Sequence, residues 1–196
     1  MTEREMDRRL KIRTVGREEE PSVHYASYEP TPYPVLRRLA DSGYVRRKDH
    51  LLDYGCGKGR VLFFMASAIG CRATGIDRSP KLIEKARENR RTSGLGDRVA
   101  LECCPAEKYP ISNENVFFFF NPFSETIFAA VLRRIADRSA ESGRPLTVLC
   151  YYPSEEYIRC LDNTPEVRRM EEIDCSDLFR GHDPRERIVA YRSEKG

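Results

Sequence analysis

Leu51-Leu-Asp-Tyr-Gly-Cys-Gly-Lys-Gly-Arg-Val61 is the stretch whose reading decides the fold. Leu51–Tyr54 reads as a buried strand, glycines 55, 57 and 59 as a turn, and Arg60 as a helix start. Asp53 therefore stands at a strand end, beside backbone that no Cβ obstructs. Such a corner suits a ligand with an amine and a ribose. Its Gly-x-Gly-x-Gly spacing lacks the Gly-x-Gly-x-x-Gly that brings a helix N-terminus to a pyrophosphate, so a dinucleotide is disfavoured.

Outward from that corner the chain alternates strand and helix. Strands are expected at 71–76, 99–103, 116–120 and 146–152, with helices at 60–69, 80–93, 125–137 and near 154–161. Ser79 followed by Pro80 is a helix start, and Gly94 a helix stop. Phe117 to Phe120 are four consecutive phenylalanines, which need apolar neighbours on both faces of a central parallel strand. Two runs near 167–173 and 187–191, with a polar turn between them, predict a closing hairpin. The expected fold class is α/β: a doubly wound, mostly parallel seven-stranded sheet with an antiparallel C-terminal strand and helices on both faces.

At 196 residues, one domain with one core is expected. Residues 1–20 carry six bases and six acids, which predicts a frayed helix or flexible charged arm. The domain proper is read as 21–196, with a lid or strap and a helix over 21–47 and the core over 48–196. In the strap, prolines 30, 32 and 34 hold the backbone extended, and Tyr25, Tyr28 and Tyr33 supply amphipathic surface.

Composition narrows the function classes. Charged residues make up 33% of the chain, yet the net charge is only +3, with basic pairs scattered among acids, so a nucleic-acid patch is not favoured. Seven cysteines without Cys-x-x-Cys spacing read as reduced core residues, and His24, His50 and His182 are too far apart to suggest a metal site. The charged N-terminus and the lack of an apolar run of spanning length predict a cytoplasmic protein with no membrane contact.

In open α/β sheets the ligand lies beyond the carboxyl ends of the strands, so the remaining corners matter. The second, Gly75-Ile76-Asp77, ends in a carboxylate able to accept from ribose hydroxyls. Leu-Leu-Asp-Tyr-Gly-Cys-Gly-Lys-Gly followed by Gly-Ile-Asp resembles the class I, Rossmann-like, S-adenosylmethionine-dependent methyltransferases, over roughly residues 48–192. The resemblance implies S-adenosyl-L-methionine as cofactor. It gives the methionine part to Gly55, Cys56, Gly57 and Gly59, the amino group to Asp53, and the ribose to Asp77, with Arg78 beside it. The third corner, Cys104-Pro105-Ala106-Glu107, departs from the family by placing proline where an acid is usual, which leaves the Ala106 backbone N–H for the adenine.

The fourth corner, Asn121-Pro122-Phe123-Ser124, resembles the Asn-Pro-Pro-aromatic motif of methyltransferases acting on amine or amide nitrogens. There the Asn side chain and the adjacent carbonyl orient the nitrogen. Asn121 is thus a candidate for catalysis and for cofactor contact, and a helix start by Asn121 and Pro122 is the structural alternative. Tyr33 is a second catalytic candidate, as part of a closing strap. The expected activity is in-line methyl transfer, which needs alignment and water exclusion more than a strong base. The acceptor stays open among small molecules and exposed protein or RNA groups. Rival readings are an RNA or protein methyltransferase, a non-catalytic module binding S-adenosylmethionine or S-adenosylhomocysteine, and, disfavoured by the glycine spacing, a nicotinamide dehydrogenase.

Overall fold

The computed structural model describes residues 1–18, 24–181 and 183–193. In chain order the elements are α1 (Glu3–Leu10), α2 (Tyr33–Asp41), β1 (His50–Tyr54), α3 (Arg60–Ala68), β2 (Arg72–Asp77), α4 (Pro80–Ser93) and β3 (Val99–Cys103). They continue with β4 (Val116–Phe119), α5 (Glu125–Ser142), β5 (Thr147–Tyr151), α6 (Glu155–Asp162), β6 (Val167–Arg169), β7 (Ile173–Asp174) and β8 (Arg187–Ser193). The strand order is β3-β2-β1-β4-β5-β8-β6, and β7 also pairs with β8.

β1 to β5 form a parallel block, and β8 runs antiparallel to β5. This is the doubly wound, mostly parallel sheet expected from the alternation. One detail differs. The run near 167–173 is divided into β6 and β7, and both pair with β8, which lies inside the sheet between β5 and β6.

The helix boundaries follow local chemistry. Ser79 caps α4 by accepting from Leu82 N–H, Pro80 occupies the first position, and Gly94 ends the helix at φ 72°. The sheet separates two apolar layers. Phe118 packs with α1, α2 and α3, whereas Phe117 and Phe119 pack with α5 and α6. Four aromatic residues in a row therefore serve two faces by simple alternation.

Residues 1–18 are not the loose tail that their composition suggests. Met6, Leu10 and Ile12 are buried against α2 and α3. Asp7, itself buried, accepts from Thr14 Oγ1 at 2.7 Å, from Val15 N–H at 3.1 Å and from Tyr33 OH at 2.5 Å. Arg60, at the start of α3, donates to Thr14 Oγ1 at 2.7 Å and pairs with Glu3. Asp7 and Glu3 are thus paired with Arg60 within the domain, while Arg4, Arg8, Arg9, Lys11 and Arg13 keep their charges at the surface. Residues 19–23, at the end of the expected arm and the start of the expected strap, lie outside the described residues, as does His182.

β1 pairs with β2 on one side and with β4 on the other, so the connections leave in opposite directions from its carboxyl end. That switch point opens a crevice, and the four corners read from the sequence meet around it.

Candidate active site

Asp53 sits between Gly75 of β2 and Phe118 of β4 in the sheet register. The missing side chain at Gly75 matters, because a Cβ there would lie 2.7 Å from Cys56 Sγ. Cys56 and Gly55 both donate backbone N–H to Ile76 O at 2.9 Å, which folds the loop back over the end of β2. Gly59 closes the turn by donating to Cys56 O at 2.8 Å and, at φ 85°, starts α3.

The result is a cleft walled by Asp53, Gly55, Cys56, Asp77, Arg78 and Ala106, with Phe118, Phe120, Pro122 and Phe123 on the side of the fourth corner. Its remaining wall is the strap from Tyr25 to Thr31. Asp53 is only 4% exposed, and among the described residues no side-chain hydrogen bond reaches its carboxyl. Burial, and then the nearby Asp77 carboxylate, push the Asp53 carboxyl up to about 8. An unpaired buried carboxyl facing a cleft is a seat for a cation.

Asp77 is held differently. Gly57 N–H donates to its Oδ2 and Ser79 N–H to its Oδ1, both at 2.9 Å. These bonds fix the carboxylate at the mouth of the second corner. Burial, followed by Asp77 and Asp53, pushes the Cys56 thiol well up, so it is a neutral wall residue.

The strap lies directly on this loop. The Tyr28 ring packs on Gly57, whose φ is +53° and whose Cβ position would overlap the ring. Tyr28 OH donates to Thr14 O at 2.6 Å. The Tyr25 ring lies 4.2 Å from the Arg78 guanidinium and meets Phe123 edge-on at 6.3 Å, and its hydroxyl lies 3.4 Å from Glu107. Two backbone bonds join the strap to the fourth corner: Ala26 N–H to Pro122 O at 3.1 Å, and Ser124 N–H to His24 O at 2.8 Å.

The structure brings together Asp53, Gly55, Cys56, Asp77, Arg78 and Ala106 on the cleft wall, with Gly57 and Gly59 shaping the loop behind it. It does not bring Tyr33 there. That ring is 2% exposed, lies 4.4 Å from the Arg60 guanidinium, and donates its hydroxyl to Asp7, so it belongs to the α1 packing. Asn121 is also placed otherwise. At φ +41° it donates from Nδ2 to Tyr152 O at 2.6 Å and accepts at Oδ1 from Ser154 N–H at 3.2 Å. It ties the fourth corner to the loop after β5, and Ser124 is the N-cap of α5.

Other residues at the site were not anticipated from sequence. Phe118, Phe120 and Leu82 line the cleft, as does Arg60. Arg60 directly follows the third glycine, which is the signal that could have marked it. Among the described residues there is no group of three or more His, Cys, Asp or Glu able to hold a metal ion, and no helix is long and apolar enough to cross a membrane.

A family model described as a methyltransferase domain matches residues 46–144. A 27-O-demethylrifamycin SV methyltransferase from Amycolatopsis mediterranei is 35% identical over 85 residues, covering 43% of this chain and 31% of the relative. A protein-lysine N-methyltransferase from Saccharolobus islandicus is 30% identical over 80 residues, covering 40% of this chain and 50% of the relative. The chain thus spans half or less of the length of these curated relatives. Among solved structures, an RNA methyltransferase from Salinibacter ruber in complex with S-adenosyl-L-homocysteine superposes with a TM-score of 0.62 at 23% identity, covering 85% of this chain and 94% of that one, a likeness of fold.

Proposed function

Because the chain belongs to the class I S-adenosylmethionine-dependent methyltransferases, we propose that its cleft binds S-adenosylmethionine and transfers the methyl group to an acceptor. The observation that carries this reading is the Asp53 carboxyl. It is buried, without a side-chain hydrogen bond among the described residues, and lines the cleft beside a loop whose glycines keep side chains out of the way. The donor set fits the cofactor: a carboxylate for the α-ammonium, a second at Asp77 for ribose hydroxyls, and the Ala106 backbone with Arg78 and Tyr25 around the base.

When bound, S-adenosylmethionine supplies a methyl group already activated by the sulfonium charge. The chain's own residues orient and enclose. Asp53 and the 55–59 loop hold the amino-acid end, Asp77 holds the sugar, and Phe118, Phe120, Pro122 and Phe123 with the strap exclude water. Asn121 and the Pro122 carbonyl, the two groups that would grip a nitrogen acceptor, are both engaged by protein in this conformation. A nitrogen acceptor therefore has no preformed grip at this corner. Small molecules and exposed protein or RNA groups remain the acceptor classes. The seven cysteines, none of them disulfide-bonded, suit the reducing cytoplasm.

Titration calorimetry with S-adenosylmethionine and NAD is the direct test: binding of the first without the second supports the reading, and the reverse result overturns it. An acceptor screen with methyl-labelled cofactor then separates an enzyme from a non-catalytic binding module.

A further inference from the structure

One charged cluster meets the glycine loop, although none of its four residues lines the cleft. Glu18 receives three ammonium groups: Lys58 at 2.8 Å, Lys81 at 2.9 Å and Lys85 at 2.5 Å. Lys58 belongs to the glycine loop itself, and its side chain is 9% exposed, whereas Lys81 and Lys85 project from α4. The same Glu18 pairs by backbone with Tyr28 in both directions, at 3.2 Å and 2.9 Å. Lys58 Nζ stands 4.6 Å from the centre of the Tyr28 ring, and that ring covers Gly57. Glu18 thus meets the strap through its backbone, and the glycine loop and the helix after the second corner through its carboxylate. The lysines hold it well below the usual carboxylate range, Lys58 foremost.

We propose that Glu18 is the latch of an N-terminal clasp: it fixes the glycine loop through Lys58 and keeps the strap closed over the cleft, so that cofactor and product exchange when this ion cluster opens. The inference rests on the cofactor reading above and adds a positioning residue to it. Glu18 touches no reacting atom. It acts through Lys58 and Tyr28, and its three partners outnumber it in charge, so removing its carboxylate leaves three lysines that repel one another beside the loop. On this side Tyr28 is also held by its two backbone bonds to Glu18, by its own packing and by Thr14, and the paired Glu29 and Arg17 are solvent-exposed. Ionic strength should loosen the cluster, because Lys81 and Lys85 are accessible to counter-ions.

The test is the dissociation rate of S-adenosylhomocysteine, followed by stopped-flow tyrosine fluorescence in the full chain, which has no tryptophan. Glu18→Gln should release the ligand about tenfold faster at low salt. The native protein should approach that rate as salt is raised from about 50 to 500 mM, and the variant should lose most of this dependence. Glu18→Asp, which keeps the charge on a shorter arm, should recover part of the slow release. Far-UV dichroism and melting temperatures identify a variant that fails to fold, and the salt series on the native chain needs no variant. Native binding with release rates unchanged by both salt and Glu18→Gln would overturn the latch while leaving the cofactor reading in place. No binding by the native chain would overturn both.

Discussion

Replacing Asp53 with Asn, and measuring cofactor affinity against pH, tests the centre of the site. In the free protein the Asp53 carboxyl is pushed up to about 8, so at pH 7 only about a tenth of molecules carry the charge, and at pH 6 about a hundredth. A ligand ammonium needs that charge. Its apparent Kd should therefore tighten about tenfold between pH 6 and pH 7, equivalent to ~1.4 kcal/mol per unit, and level off near pH 8. Above that the ligand's own α-amino group begins to lose its proton, at about 8, and affinity should fall again.

Binding at pH 7 should release close to one proton, read as a dependence of calorimetric heat on buffer ionisation enthalpy. Asp53→Asn should bind more weakly at pH 8 and show neither the rise nor the proton release. A native Kd that stays flat from pH 6 to 8, with no buffer dependence, would refute the reasoning. Without ligand the sign runs the other way for stability. The unfolded chain gives up this proton near its ordinary pKa, whereas the folded chain keeps it to about 8. Folded stability is thus free of the penalty below about pH 4 and declines as pH rises toward 8. Ligand-free Asp53→Asn should gain on the native protein in melting temperature over that window.

Three further outcomes are expected. Gly57→Ala forces a Cβ at φ +53° into the Tyr28 ring and should cost about 1–3 kcal/mol of stability and at least tenfold in cofactor affinity; a silent substitution in both would mean that the strap does not press on the loop as described. Asn121→Ala loses the bonds to Tyr152 and Ser154 and should lower stability by about 1–3 kcal/mol while leaving cofactor Kd within about twofold, whereas a large loss of affinity would return the amide to the cofactor site. Tyr33→Phe removes a hydrogen bond to Asp7 and should lower stability by about 1–3 kcal/mol without changing cofactor affinity; lost turnover at unchanged stability would reinstate a catalytic role.

What the sequence discloses and what it hides differ for a physical reason. The corner at Asp53, the Ser79-Pro80 start of α4 and its Gly94 stop are local signals, complete within a few residues, and the phenylalanine run carries its own argument for a central strand. The N-terminal segment is the opposite case. Its polar groups give no sign of burial because their partners are remote in sequence: Glu3 and Thr14 meet Arg60, the Arg13 backbone N–H meets Asn89 at 2.8 Å, and Glu18 meets Lys58, Lys81 and Lys85. Polar burial of this kind has no periodicity to betray it. The setting of Asn121 is hidden for a related reason. The motif around it suggests a side chain turned to the ligand, and only the adjacent loop after β5, with Tyr152 at φ +50°, reveals another use.

The alternation of Phe117 to Phe120 across the sheet also bears on how this architecture can diversify. Phe118 is at once a core residue and a wall of the cleft, and Phe120 beside it lies 4.7 Å from the Tyr151 ring. Reshaping the floor to admit a different acceptor would therefore open a void in the interior, at a cost of about 3–5 kcal/mol for loss of a phenylalanine ring. Ser27 and Glu29 line the same cleft from the strap and are exposed on their other side. They can change without disturbing the interior. Selectivity in proteins built this way should drift through the segment ahead of β1, with the phenylalanine floor held nearly constant beneath it.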